Sequence, residues 1–346
     1  MNLPFQPPLA PMEAKHVDAL PSGEDWQYEP KWDGFRALAF RDGDDVFLSS
    51  RGELPFARYF PELVAAVKTL ATPRLVLDGE IVVFTADGRG LDFDALLQRI
   101  HPAASRVARL ARETPASFIA FDLLARGDGD LRGEPLSARR AALEEVMEDA
   151  ALPLHLSPRS FDAAVAERWL QAFVVQGLDG VVAKRLSSPY RSGEREMRKV
   201  KRERTADCVV LGFRWAKDQH GTAVGSLLLG LYGPDGQAWQ VGFSSGFTRE
   251  ARKELVATLA PYREGKSEEP PPGQAMVSRW AREKDLSYER LRPELVVEVA
   301  FDQVTGHRIR HGARFVRWRP DKPASQCTFE QLELPPNVDL STLLEG

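Results

Sequence analysis

Lysine seldom acts as a nucleophile, and the segment Glu29-Pro30-Lys31-Trp32-Asp33-Gly34-Phe35-Arg36 sets one where it could. Lys31 stands just before an Asp-Gly turn signal, between two runs that read as extended, Trp26 to Glu29 and Phe35 to Phe40. The pattern predicts a lysine on a rigid hairpin with an acid two residues on. An amine held this way suits Schiff-base formation with a carbonyl, or phosphoramidate formation with a nucleotide. Lys-x-Asp-Gly also arises by chance on the order of once per ten chains of this size. Taken alone, a solvated lysine beside a turn is the better account of it.

Two further runs carry charge where a buried strand would not want it. Leu77-Asp78-Gly79-Glu80-Ile81-Val82-Val83-Phe84 holds two acids, and Leu178-Asp179-Gly180-Val181-Val182-Ala183-Lys184 holds an acid and ends on a lysine. A buried carboxylate costs several kcal/mol unless a metal, a partner charge or a ligand compensates it. A single such acid is best read as a strand end facing water. Two strands with matching Asp/Glu-Gly punctuation, together with Lys31, Lys199 and Lys201, point to a built site. His220, His307 and His311 have no ligand partners at metal spacing, His101 precedes Pro102 in a loop, and Trp169, Trp215 and Trp239 read as core.

The elements that must carry these residues change texture near Lys201. Before it, strand-like runs cover Val46 to Ser49, Leu75 to Thr85, Phe118 to Leu124 and Gly180 to Lys184. Helical patterns cover Pro61 to Leu70, Ala138 to Met147 and Asp162 to Gln176, with Val165, Trp169, Phe173 and Val174 on one face and Ser160 as a cap. Strands and helices do not alternate strictly, so the expected class is α+β with antiparallel sheets. After it, Asp207 to Gly212, Gly225 to Tyr232, Ala238 to Phe243, Leu295 to Phe301 and Arg314 to Trp318 read as strands, with one helix near Thr248 to Ala260. Five strands with an interposed helix fit a small oligonucleotide-binding (OB) β-barrel. The expected domains are 1–203 and 207–346, hinged at Glu203 to Ala206, with Arg263 to Gln274 as a mobile surface loop.

The chain has 346 residues, 43% hydrophobic and 28% charged, as in an ordinary soluble protein with room for two cores. Met1 to Met12 lack the basic start and apolar run of a signal peptide, and no apolar stretch approaches the roughly 20 residues of a membrane span. Two distant cysteines, Cys208 and Cys327, exclude a disulfide framework and a cysteine zinc site. The net charge of −4 conceals basic runs at Arg191 to Arg204 and at His307 to Lys322. Such runs suit a local track for phosphates, and equally a pair of solvated faces.

Taken in order, the segments resemble the covalent nucleotidyltransferase superfamily, and within it the ATP-dependent DNA ligases. Lys31-Trp32-Asp33-Gly34 is similar to the motif whose lysine is the nucleophile, Ser50-Arg51 to the next, and Asp78-Gly79-Glu80 to the third. Phe121-Asp122 resembles the segment whose ring stacks on the purine. Asp179 to Lys184 is similar to the fourth motif, with aspartate where the family has glutamate, and Lys199-Val200-Lys201 to the fifth. Arg317-Trp318-Arg319-Pro320-Asp321-Lys322 resembles the sixth, in the OB domain. Arg58 to Leu63 and Glu298 to Phe301 look most like small bacterial ligases of the C type or the end-joining D-type module. The resemblance implies a nucleotidyltransferase domain of ATP-grasp-like antiparallel sheets with helices, an OB barrel, and no additional N-terminal DNA-binding domain.

It also implies a three-step reaction: AMP moves from ATP to Lys31, then to the 5′-phosphate of a nick, and the 3′-hydroxyl displaces it. Glu29, Arg36, Arg51, Glu80, Phe121, Lys184, Lys199 and Lys201 are the expected nucleotide-binding residues. Glu80 and Asp179 are the expected ligands of Mg²⁺ or Mn²⁺, and Arg319, Asp321 and Lys322 are expected on the pyrophosphate side. The expected partners are nicked double-stranded DNA and DNA repair proteins, for a cytoplasmic, nucleoid-associated monomer away from membranes. The alternatives are an RNA ligase, a capping guanylyltransferase, or a nucleic-acid-binding module that lost its chemistry.

Overall fold

The structure is a computed structural model that describes residues 1–172, 178–201, 203–269, 271–272, 287–302, 304–305, 307–310, 312–333, 340 and 343. The chain divides into two compact units, Met1–Arg202 with Pro336–Gly346, and Glu203–Pro335. Leu340 and Leu343 are buried with the first unit's residues, whereas the expected second domain ran on to residue 346. A short segment with few apolar residues carries no local signal of which core its leucines will join. Phe173, Val174 and His311 lie outside the described residues.

The first unit holds β1 (Ala14–His16), β2 (Trp26–Trp32), β3 (Phe35–Asp42), β4 (Asp45–Ser50), α1 (Pro61–Thr69), β5 (Arg74–Val82), α2 (Phe93–Arg99) and α3 (Ala104–Glu113). It continues with β6 (Ser117–Arg126), β7 (Gly129–Asp130), α4 (Leu136–Met147), β8 (Leu154–Leu156), α5 (Ala163–Ala172), β9 (Leu178–Arg185) and β10 (Met197–Val200). One sheet has the order β1-β10-β9-β2; the other runs β4-β3-β5-β6-β7, with β8 parallel to β6. Alternation along β3 explains the layering. Ala37 and Ala39 join a core with Leu63 and Val67 of α1 and Leu143 of α4, while Leu38 and Phe40 pack on the other face with Val182 of β9 and Met197 of β10. The two sheets therefore meet face to face, and α5 covers the far side of the smaller one through Ala166, Trp169 and Leu170.

This layering overturns the expected hairpin. β2 and β3 belong to different sheets, so Asp33-Gly34 is a crossing between sheets and not a hairpin tip. A two-residue Asp-Gly link between extended runs is the usual hairpin signature, and only long-range pairing distinguishes the two cases. Asp162 rather than Ser160 caps α5: its carboxylate accepts from the Ala164 N–H at 2.8 Å, while Ser160 Oγ accepts from the Asp162 N–H.

In the second unit the long strand β11 (Arg204–Trp215) is shared by several partners. One edge pairs with β12 (Val224–Tyr232), which pairs with β13 (Ala238–Ser244). After α6 (Arg249–Leu259), capped by Thr248, come β14 (Arg263–Ser267), β15 (Tyr288–Leu291) and β16 (Val296–Phe301). The other edge of β11 pairs with β16 along its first half and with β15 along its second. Sharing one bent strand this way is how an OB-type sheet coils into a barrel. The short β17 (Val304–Thr305) and β18 (Arg308–Ile309) follow, and β19 (Arg314–Trp318) pairs with β16. Residues 263–267, expected in a loop, form a strand paired with β15. Their sequence Arg-Glu-Gly-Lys-Ser lacks an apolar alternation because they are solvent-exposed for most of their length.

Candidate active site

Lys31 owes its position to a bulge. Across β2 and β9 the register runs from Pro30–Val181 to Trp32–Leu178, so Lys31 alone faces Asp179 and Gly180. Gly180 has φ of +129°, and a Cβ there would lie 2.1 Å from the Val200 carbonyl oxygen. Only glycine lets the bulge form against β10, and the bulge turns Asp179 toward the lysine. The Asp179 carboxylate accepts from Lys31 Nζ through Oδ2 and pairs with Lys201 Nζ at 2.9 Å through Oδ1. Burial opposes ionisation of Asp179, but the two ammonium groups outweigh it and hold the carboxyl below its ordinary range. Partial burial, then the charges of Lys31 and Lys201, pull Lys199 below the ordinary lysine value.

Across the sheet crossing, Gly34 approaches β5 so closely that a Cβ would meet the Ile81 carbonyl oxygen at 2.1 Å. Its N–H donates to Glu80 Oε1 at 3.2 Å. Burial pushes the Glu80 carboxyl up to about 7, helped by Asp33 and Asp78 and opposed by Lys31 and Arg36. For Glu80, then, burial outweighs the nearby charges of Lys31 and Arg36. Asp78, two residues earlier on the same strand and fully buried, is satisfied. It takes a bidentate pair from Arg36 at 2.5 and 2.6 Å and a hydrogen bond from the Tyr190 hydroxyl at 2.7 Å. Tyr190 in turn accepts from the Met12 N–H at 2.9 Å.

A cleft of about 910 Å³ within the first unit has Glu29, Lys31, Arg36, Glu80, Phe121 and Lys199 among its walls. Lys184 and Arg51 line it as well. Phe121 carries two cations, the Arg36 guanidinium 4.4 Å and the Lys184 ammonium 4.5 Å from the ring centroid. The buried Glu29 carboxylate accepts from Lys184 at 2.8 Å and from Gln27 at 2.7 Å. At the rim, Glu13 pairs with Arg51 at 2.6 Å and with Arg195 at 3.1 Å. The fold thus brings Glu29, Lys31, Arg36, Arg51, Glu80, Phe121, Lys184 and Lys199 to one cleft, with Asp179 and Lys201 joined to it through Lys31. It adds Glu13, Tyr190 and Arg195, which no short motif marks because they act through partners distant in sequence.

Glu80 fits a divalent cation, being a hard oxygen donor on the cleft wall whose ionised form a cation would favour against burial. Asp179, the other expected ligand, has both oxygens committed to ammonium groups. Among the described residues no group of three or more His, Cys, Asp or Glu side chains is arranged to hold a metal. Arg319, Asp321 and Lys322 lie in the second unit, where Arg319 pairs with Asp321 and both Arg319 and Lys322 pair with Asp207. Both cysteines are buried and free.

Residues 7–201 match the family model for the ATP dependent DNA ligase domain, and residues 220–322 match that for the ATP dependent DNA ligase C terminal region. The chain belongs to the ATP-dependent DNA ligases. This ligase is 50% identical over 361 residues to DNA ligase C of Mycobacterium tuberculosis, covering 100% of this chain and 99% of the relative. It is 34% identical over 339 residues to the multifunctional non-homologous end joining protein LigD of Pseudomonas aeruginosa, covering 95% of this chain and 37% of that one. Among solved structures, one from a structure–function study of Lig E DNA ligases covers 91% of this chain and 100% of its own at 19% identity, with a TM-score of 0.53. That likeness bears on the fold. As a member of this family the ligase uses ATP with a divalent metal and acts on nicked DNA, which sets aside the guanylyltransferase and RNA-ligase alternatives. Among the described residues no helix is long and apolar enough to cross a membrane.

Proposed function

We propose that Lys31 carries the AMP. The observation behind this is its place in the β2–β9 bulge, on the wall of the cleft and hydrogen-bonded to Asp179. Its nitrogen forms a bond to the α-phosphorus of ATP as the bond to the β-phosphate oxygen breaks, and pyrophosphate leaves. Attack requires the free amine, so Lys31 loses a proton to solvent while Asp179 directs the nitrogen. Lys199 and Lys201 stabilise the negative charge on the phosphate oxygens during the transfer. A Mg²⁺ or Mn²⁺ ion supplies further positive charge there, and Glu80 is the residue that would hold it.

Phe121 is the adenine platform, its ring bordered by the Arg36 guanidinium and the Lys184 ammonium. Lys184 and Glu29 act as one buried pair at the base edge. Arg51, paired with Glu13 and largely exposed, can exchange that carboxylate for the 5′-phosphate of a nick. Arg319 and Lys322, with Asp321, serve the departing pyrophosphate. The two expected domains take corresponding roles, nucleotide chemistry in the first and pyrophosphate and DNA handling in the second. The setting we propose is nick sealing in DNA repair, by end joining or excision repair, as a monomer at the nucleoid in the cytoplasm with repair proteins as partners.

The test uses labelled ATP and, separately, pre-adenylated nicked DNA. Lys31→Ala should lose AMP labelling entirely and keep some sealing of the pre-adenylated nick. Label still attached to the Lys31→Ala protein would remove Lys31 from this role.

A further inference from the structure

Asp207 stands outside every motif discussed above, yet both cations assigned to pyrophosphate converge on it. Arg319 donates to its two oxygens at 2.9 and 3.1 Å, and Lys322 donates to Oδ2 at 2.7 Å. The carboxylate sits on β11, largely buried, and its backbone is gripped independently. The Gln331 side chain accepts from the Asp207 N–H and donates to the Asp207 carbonyl, each at 2.9 Å. Strand register continues the row: Asp207 pairs with Glu298 of β16, which pairs with Arg317 of β19. Arg317 Nε meets Glu298 at 2.6 Å, and Asp321 takes the outer edge of Arg319 at 2.8 Å.

A flexible arginine and a flexible lysine lose rotamer freedom when held on one carboxylate, and ion pairs near the surface contribute little to stability. The gain lies in geometry. Both heads are fixed relative to a strand and to each other, so a polyphosphate meets them already spaced. Asp207 shares its charge between the two cations, while Asp321 holds the Nε–Nη2 edge of Arg319 at 2.8 to 3.2 Å and Glu298 lies 3.8 Å from its Nη1, so a polyphosphate takes that outer edge by displacing the exposed Asp321 carboxylate.

We infer that Asp207 is a positioning residue for lysine adenylation: it holds Arg319 and Lys322 in the arrangement that receives the departing pyrophosphate. This rests on the role proposed above for those two residues. It predicts a split between the steps, because only adenylation and its reversal involve pyrophosphate. Sealing of a pre-adenylated nick does not.

The test compares Asp207→Asn, Asp207→Glu and Arg319→Ala in AMP labelling, in pyrophosphate-driven release of AMP from the adenylated enzyme, and in sealing of pre-adenylated nicked DNA. Asp207→Asn should lower labelling and pyrophosphate-driven release by about tenfold or more, the scale of one charge-assisted hydrogen bond from Arg319 or Lys322 to pyrophosphate lost once that cation is no longer held. Sealing should stay within about twofold of the parent. Asp207→Glu, which keeps the charge, should recover part of both pyrophosphate-linked activities. Equal loss in all three assays, or labelling as fast as the parent's, overturns the inference, as does Asp207→Glu behaving like Asp207→Asn. If Arg319→Ala splits the steps and Asp207→Asn does not, the inference alone fails. If Arg319→Ala shows no split, the pyrophosphate role itself fails. Should Asp207→Asn fold poorly, Asp207→Glu read against Arg319→Ala decides the matter in the same assays, a split shared by both supporting the inference and one confined to Arg319→Ala refuting it.

Discussion

Replacing Glu80 with glutamine should stabilise the ligand-free ligase while abolishing its chemistry. The Glu80 carboxyl is raised from 4.5 to about 7, chiefly by burial. Below pH 4.5 it is protonated folded or unfolded, and its contribution is at its most favourable. As pH rises through 7 that contribution is lost, because the folded state must then hold a half-buried anion that the unfolded chain leaves in water. At about 1.4 kcal/mol per pH unit the shift corresponds to roughly 3 kcal/mol, or about 2 kcal/mol after allowing for residual solvent contact. Glutamine has the same shape and keeps an oxygen for the Gly34 N–H, so it removes the charge with little else. In thermal melts without ATP and with a chelator, Glu80→Gln should gain about 4–8 °C over the parent at pH 8 compared with pH 5. Magnesium should recover part of that difference in the parent and none in the variant. Parent and variant melting with the same pH dependence would show that burial does not outweigh the charges near Glu80, and its fit to a cation would fall with it.

Other outcomes follow from the same contacts. Gly180→Ala adds a methyl 2.1 Å from the Val200 carbonyl at a φ of +129°, so it should cost about 2–4 kcal/mol and lower AMP labelling at least tenfold. A variant that melts and labels like the parent would remove the bulge from the catalytic geometry. Tyr190→Phe deletes the hydroxyl shared by Asp78 and the Met12 N–H and should lose about 1–2 kcal/mol by urea denaturation. An unchanged midpoint would mean that Arg36 and Asp78 hold each other without it.

Much of the site could be read from residue types in order. Lys31, Glu80, Phe121, Lys184 and Lys199 all line one cleft, and Phe35 to Phe40, read as extended, is strand β3. The hairpin failed because Asp33-Gly34 has the local chemistry of a tight turn, whereas β2 and β3 are claimed by different sheets. β14 was missed because an exposed strand carries no hydrophobic period. Leu340 and Leu343 lie far along the chain from the core they enter.

Sequence alone determined which charged groups exist, their order, and that some strands must bury acids. Only tertiary structure decided which charges meet. Lys31 and Asp179 are 148 residues apart, and Asp207 and Arg319 are 112 apart. Such pairs depend on the register of strands brought together by long-range packing, and no local propensity records that register. The same packing decides that Asp78 is satisfied by Arg36 and Tyr190 while for Glu80, two residues along the same strand, burial outweighs the nearby positive charges.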